Sequence, residues 1–272
     1  MTNPTLRPLA LVTGASGGIG AALARELARH GYDLVLAARG VAAMEALAGD
    51  LRALGAEATV VAADLAQPGA ARELADEIER RGLAIDVLVN NAGLGAAGRF
   101  DRIDPGRIGE ILQVNIVALT ELARLVLPGM IARGRGRVML VASVAGFQPG
   151  PRMAAYFASK AYVLSLGEAL AYELRGTGVS VTVLCPGATA TRFFEVAGAD
   201  HSLMARRLRR MMRAEDVARL GYRSMARGRR VVVTGMMNRL LALAGRYAPH
   251  RITLPVTDLL MMTKDLAVRV AL

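Results

Sequence analysis

Seven short apolar runs recur along this chain with amphipathic segments of helix length between them, and that alternation limits the fold more than any other feature. The runs are Leu9–Thr13, Asp33–Ala37, Ala58–Ala62, Val87–Asn90, Arg137–Ala142, Ser180–Cys185 and Arg230–Val233. The helical segments are Gly18–His30, Val41–Leu54, Pro68–Arg81, Pro105–Arg133, Ala154–Arg175 and Ala214–Arg227. Most of the early runs lack strict apolar–polar alternation, as strands do when helices cover both faces of a parallel sheet. Right-handed crossovers then predict an α/β fold, a doubly wound parallel sheet of about seven strands in three α/β/α layers. Ligands on such sheets bind beyond the carboxyl ends of the strands. The chemistry is therefore sought in the residues that follow each strand.

After the first strand stands Thr13-Gly14-Ala15-Ser16-Gly17-Gly18-Ile19-Gly20. It fits the G-x-S-x-G turn that exposes a hydrolase's serine, here Ser16. It equally fits a glycine turn whose backbone N–H groups approach a pyrophosphate. Locally the two readings are equal. Past the second strand, Ala37-Ala38-Arg39 lacks the acid that would hold an NAD ribose and offers a forked cation suited to a 2′-phosphate. Arg39 therefore predicts NADP(H) in preference to NAD(H). Asp64-Leu65 follows the third strand, Asn90-Asn91-Ala92-Gly93 the fourth, and Ser143 the fifth. Tyr156 and Lys160 stand four apart in a helical pattern and so share one face.

These motifs, in this order, resemble the short-chain dehydrogenase/reductase family over about residues 8–195, with Asn115 and Pro186-Gly187-x-x-x-Thr191 completing the set. The resemblance implies a Rossmann-type sheet and an oxidoreductase moving a hydride between NADP(H) and a carbonyl or secondary alcohol. It assigns catalysis to Asn115, Ser143, Tyr156 and Lys160, with Tyr156 as acid/base and Asn115 anchoring a water on the way from Lys160 to solvent. Cofactor contacts fall on Gly14, Ser16, Gly17, Gly18, Ile19, Gly20, Arg39, Asp64, Leu65, Asn91, Ala92, Gly93, Tyr156, Lys160, Pro186, Gly187, Thr189 and Thr191, with Asn90 shaping the cofactor floor. Nearby positive charge from Lys160 and oxidised nicotinamide is expected to bring the Tyr156 phenol down by about 2–3 pH units. Two departures bear on the cofactor: Gly17 stands where many NADP-dependent relatives carry a basic residue, and Gly40 offers the phosphate no side chain. A serine hydrolase would need an acid and a histidine downstream, nominally Asp216 and His250, and would leave Ser143, Tyr156 and Lys160 unexplained. A non-catalytic NADP-binding sensor or scaffold is expected to have broken the four catalytic positions, which are all present.

With 272 residues, 53% of them hydrophobic, the chain can bury a large core. One cysteine, Cys185, forms no intrachain disulfide, and three scattered histidines predict no metal site. No apolar run is read as long enough to span a bilayer. The expectation is a cytoplasmic protein, peripheral at most to the inner face of the membrane. Residues 1–191 hold 18 Lys+Arg against 17 Asp+Glu, whereas residues 192–272 hold 16 against 6. That basic part is either a solvated helical face or a surface for a membrane or an acidic partner or substrate handle; no nucleic-acid signature accompanies it. Residues 1–235 read as one catalytic domain and 236–272 as a basic, apolar helical extension packed on that domain, across an oligomer interface, or on a membrane or partner. The resemblance implies that Phe147, Met153, Phe193, Phe194, Val196, Leu203 and Met204 flank an apolar substrate cleft, with core or a lid as the alternative for several of them. The resemblance implies that the long segments Pro105–Arg133 and Ala154–Arg175 pair across a homodimer or homotetramer.

Overall fold

A computed structural model describes residues 7–199 and 212–262. Its strands are β1 (Leu9–Thr13), β2 (Asp33–Ala38), β3 (Ala58–Ala62), β4 (Ile85–Asn90), β5 (Gly136–Val141), β6 (Val179–Cys185) and β7 (Val231–Val233). They form one parallel sheet in the order β3-β2-β1-β4-β5-β6-β7. The chain reverses its direction of travel across the sheet between β1 and β4, so the crevice for a ligand opens there.

The helices are α1 (Gly18–Arg29), α2 (Val41–Ala53), α3 (Ala70–Arg80), α4 (Pro105–Ala132), α5 (Ala154–Glu173), α6 (Ala214–Ala226), α7 (Met236–Tyr247) and α8 (His250–Met261). Predicted and observed boundaries differ by one or two residues, mostly where a turn intervenes. Pro68 and Gly69 form such a turn, with Gly69 at φ +84°, so α3 begins at Ala70. Within α4, residues Gln113–Ala118 widen into a π segment.

Successive residues of the central strands serve opposite cores, which explains the missing alternation. Ala10, Val12, Leu34 and Leu36 pack under α1, α2 and α6. Leu11, Val35 and Ala37 pack on the other face with side chains of α3, α4 and α5. Helix α4 corrects one expectation. At 28 residues it is long and apolar enough, by composition, to cross a membrane. Its Leu119, Leu122, Ala123, Leu127 and Met130 are instead buried in the core of the sheet. Helices α7 and α8 lie across the carboxyl end of the sheet, α7 against the short turn Val144–Phe147.

Candidate active site

A cleft of about 800 Å³ lies at the carboxyl ends of the strands. The turn after β1 forms one end. Gly14 donates its N–H to Ala37 O (2.8 Å), binding the turn to β2. Asn91 Nδ2 donates to Thr13 O (2.9 Å) and Gly14 O (3.3 Å), so that amide staples the turn to the loop after β4. Thr13 Oγ1 accepts from the N–H groups of Asn91 (3.0 Å) and Ala92 (3.1 Å).

This end fits a diphosphate. Helix α1 starts at Gly18 with no side-chain cap and no acid in its first turn, leaving N–H groups and the positive end of the helix dipole toward the cleft. Gly18 holds φ +56°, and a side chain there would also press on Thr191. Gly14, Ser16, Gly17, Gly18 and Ile19 all line the cleft. Gly20 does not. A Cβ at Gly20 would stand 2.4 Å from Gly14 O and 2.5 Å from Asn91 Nδ2, so this glycine lets α1 close on the turn rather than touch phosphate. Gly20→Ala is accordingly expected to lower stability by about 1–3 kcal/mol, despite alanine's better helix propensity, and to weaken NADPH binding. Thermal melts and cofactor titration check both.

Arg39 and Asp64 face each other at the rim, Nε to Oδ1 3.9 Å, with the arginine 60% exposed. The Asp64 carboxylate also accepts from Ala66 N (3.3 Å) and Gln67 Nε2 (3.3 Å), shaping its own turn. Leu65, Ala92, Gly93, Pro186, Gly187, Thr189 and Thr191 line the cleft as expected. Asn90 does not: it is buried, and its Nδ2 donates to Leu119 O (3.0 Å), tying the sheet to α4.

Ser143, Tyr156 and Lys160 meet at the floor. Ser143 follows β5; its hydroxyl accepts from Ala145 N (3.1 Å) and lies 3.4 Å from Pro186 O. Tyr156 and Lys160 project from the first turns of α5, whose close approach to the Val144–Phe147 turn requires Gly146: a Cβ there would meet Lys160 O at 2.6 Å. Lys160 is buried and its ammonium donates to Val141 O (2.8 Å). Burial pulls its pKa down to about 8.

The protein's own groups raise the Tyr156 phenol, whereas the expected lowering drew also on oxidised nicotinamide. Burial pushes the phenol up to about 12, and the Ser143 hydroxyl beside it only partly opposes this. Lys160 Nζ lies 5.8 Å from the centre of the phenol ring and spends a hydrogen bond on Val141, so desolvation outweighs its charge.

Asn115 sits in the π segment of α4, fully buried and away from the cleft surface. Its Oδ1 accepts from Leu94 N (2.8 Å), while Nδ2 donates to Leu94 O (2.9 Å) and Ser159 Oγ (2.8 Å). Ser159 Oγ in turn donates to Tyr156 O (2.7 Å). Asn115 thus locks the β4 loop to the turn of α5 that carries Tyr156. Ser159, absent from the sequence reading, is the link.

Of the proposed wall residues, Met153, Phe193, Phe194 and Val196 line the cleft. Phe147 packs instead against the core beneath the sheet, and Leu203 and Met204 lie outside the described residues. The sequence reading missed the far wall, built from Leu241, Ala244, Ile252, Val256, Thr257 and Leu260 of α7 and α8. Two fastenings hold it: Arg152 pairs with Asp258 through both nitrogens (2.7 and 3.0 Å), and Gln148 Nε2 donates to Thr257 Oγ1 (3.0 Å). More than 100 residues separate each pair, so no local pattern could reveal them. The residues of the hydrolase reading stay apart: Asp216 pairs with Arg219 on α6, and among the described residues no hydrogen bond joins it to Ser16 or His250.

Comparison with known proteins agrees with this arrangement. The family model described as short chain dehydrogenase matches residues 8–202. A ketoacyl reductase, HetN, of Nostoc sp. is 36% identical over 177 residues, 65% of this chain and 62% of that protein's length. The 1-deoxy-11-beta-hydroxypentalenate dehydrogenase of Streptomyces exfoliatus is 38% identical over 229 residues, 81% of this chain and 80% of the relative. Among solved structures, a short-chain dehydrogenase from Sphingobium yanoikuyae in complex with NADPH superposes with a TM-score of 0.78 at 34% identity, covering 88% of this chain and 92% of that one.

Proposed function

The chain belongs to the short-chain dehydrogenase family of nicotinamide-dependent oxidoreductases, and we propose that it interconverts an apolar ketone or aldehyde and its alcohol with NADP(H), Tyr156 exchanging the proton. One observation carries the reading: a phenol, an ammonium and a serine hydroxyl converge on the floor of an apolar cleft whose other end fits a diphosphate.

When bound, the cofactor supplies the hydride. The residues hold reactants and manage the proton. Ser143 donates a hydrogen bond to the substrate oxygen and orients it. Tyr156, a phenol protonated at neutral pH, gives its proton to that oxygen as the alcohol forms. Lys160, anchored on Val141 O, keeps a positive charge near the proton's origin. Asn115 acts through position, holding the turn of α5 on which Tyr156 sits. A panel of carbonyls and alcohols followed by nicotinamide absorbance tests the proposal. Turnover of no member, with NADPH demonstrably bound, favours the sensor reading.

The preference for NADP(H) rests on Arg39. It stands at the rim with most of its side chain in solvent, and its one ion pair among the described residues, with Asp64 at 3.9 Å, leaves guanidinium nitrogens for a 2′-phosphate. Arg39→Ala is expected to raise KM for NADPH by roughly 10–100-fold, the scale of a lost charge-assisted contact, and to leave NADH within about twofold. Equal losses with both cofactors would remove the assignment. The apolar walls, together with a ketoacyl reductase and a hydroxypentalenate dehydrogenase among the relatives, support a bulky apolar ketone or secondary alcohol as substrate.

A further inference from the structure

The final two helices turn apolar side chains away from the protein. On α7, Met236, Leu240, Leu243 and Tyr247 recur at helical spacing, each more than half exposed. On α8, Ile252, Val256 and Leu259 do the same. The opposite faces are buried: Ala242 and Gly245 on α7, the latter against Phe147 and Gln148, and Thr253, Thr257 and Met261 of α8 at the cleft. Each helix is thus anchored by one side and apolar on the other, an arrangement a water-facing helix reverses.

Charge selects the occupant. Arg239, Arg246 and Arg251 are exposed beside the apolar stripes, and among the described residues none forms an ion pair. Asp258, the one acid between Met236 and Met262, is taken up by Arg152. Apolar side chains bordered by uncompensated guanidinium groups match the acyl boundary and phosphates of an anionic bilayer. A second copy would instead set like charges against each other.

We propose that α7 and α8 lie in the headgroup plane of an anionic membrane, with the cleft opening toward the lipid. Leu241, Ile252 and Val256 carry the second half of this inference: each is about half exposed, yet each lines the cleft. An apolar substrate could then pass from the acyl region to the cleft without crossing water.

Flotation of the full chain with vesicles tests the docking without reference to turnover. Phosphatidylcholine vesicles carrying phosphatidylglycerol at about one lipid in three should carry the protein up, and pure phosphatidylcholine vesicles should carry much less. The triple variant L240S/L243S/L259S alters only residues that do not line the cleft. It should float at least about tenfold less while keeping its melting temperature. R239Q/R246Q/R251Q should erase the difference between the two vesicle types. Wild-type protein left at the bottom with both vesicles overturns the proposal, as does a serine variant that floats like wild type. A serine variant that turns dimers into monomers, with no vesicle binding by wild type, assigns the face to a second copy and equally overturns it.

Discussion

Tyr156→Phe is expected to bind NADPH as tightly as wild type and to lose at least about 10²-fold in kcat for ketone reduction, the scale of positioned acid–base catalysis. The ring is held by its neighbours, with Phe193 at 5.0 Å and Phe157 at 6.1 Å between centroids, so phenylalanine occupies the same place. Stability should change by no more than about 1 kcal/mol, because among the described residues Ser143 is the side chain that hydrogen-bonds the hydroxyl. Cofactor fluorescence titration, thermal melts and steady-state rates separate the outcomes. Activity within twofold of wild type would show that another group delivers the proton. The phenol raised to about 12 adds a direction. Reduction uses the protonated form already present at neutral pH, whereas alcohol oxidation needs the phenolate and should quicken as pH rises.

Lys160→Met tests the other buried group through stability. A lysine whose folded pKa, about 8, lies below its ordinary 10.5 binds fewer protons folded than unfolded between those values. Stability of the wild type therefore rises with pH across that window, by up to about 3 kcal/mol for a shift of this size, and the penalty is full below pH 8. Methionine fills similar volume without charge, so the variant should match or exceed wild type in urea midpoint at pH 7. Its advantage should then shrink toward pH 10.5. Tyr156 and the nearby Cys185 thiol, which burial also raises to about 12, are common to both proteins and largely cancel in the difference. A gap that stays constant with pH would mean that the ammonium is not desolvated. Catalysis should fall regardless, because the charge beside Tyr156 is lost.

Strand and helix placement was legible because each central strand feeds two cores, a property written in consecutive residues such as Ala10, Leu11 and Val12. The floor of the site was legible for a related reason. Ser143, Tyr156 and Lys160 sit at fixed places relative to strand ends and one helical turn, so order along the chain approximates order in space. The roles of Gly20, Asn90 and Asn115 were not. Their side of the helix or strand decides between touching a ligand and bracing the scaffold, and a 2.4 Å approach to Gly14 O has no sequence signature. Nor did a Tyr–Lys spacing disclose that the ammonium would turn to Val141 O and leave the phenol raised. The wall contributed by α7 and α8 was the largest omission, because Gln148–Thr257 and Arg152–Asp258 join distant segments that carry no periodic cue.

Arg152 is the sole non-glycine among the described residues with positive φ, at 64°. Its backbone oxygen accepts from Gly98 N (2.8 Å) while its guanidinium reaches Asp258. A residue in that left-handed conformation stores strain that its surroundings must offset. One residue therefore ties three separate stretches together at the rim, like a rivet through overlapping plates. The reacting groups stand just after β5 and on the first turns of α5, whereas the shape of the chamber hangs on this joint. Descendants of the sequence could thus recut the chamber for new guests by changing the last helices and their fastening, while inheriting the proton-handling floor intact.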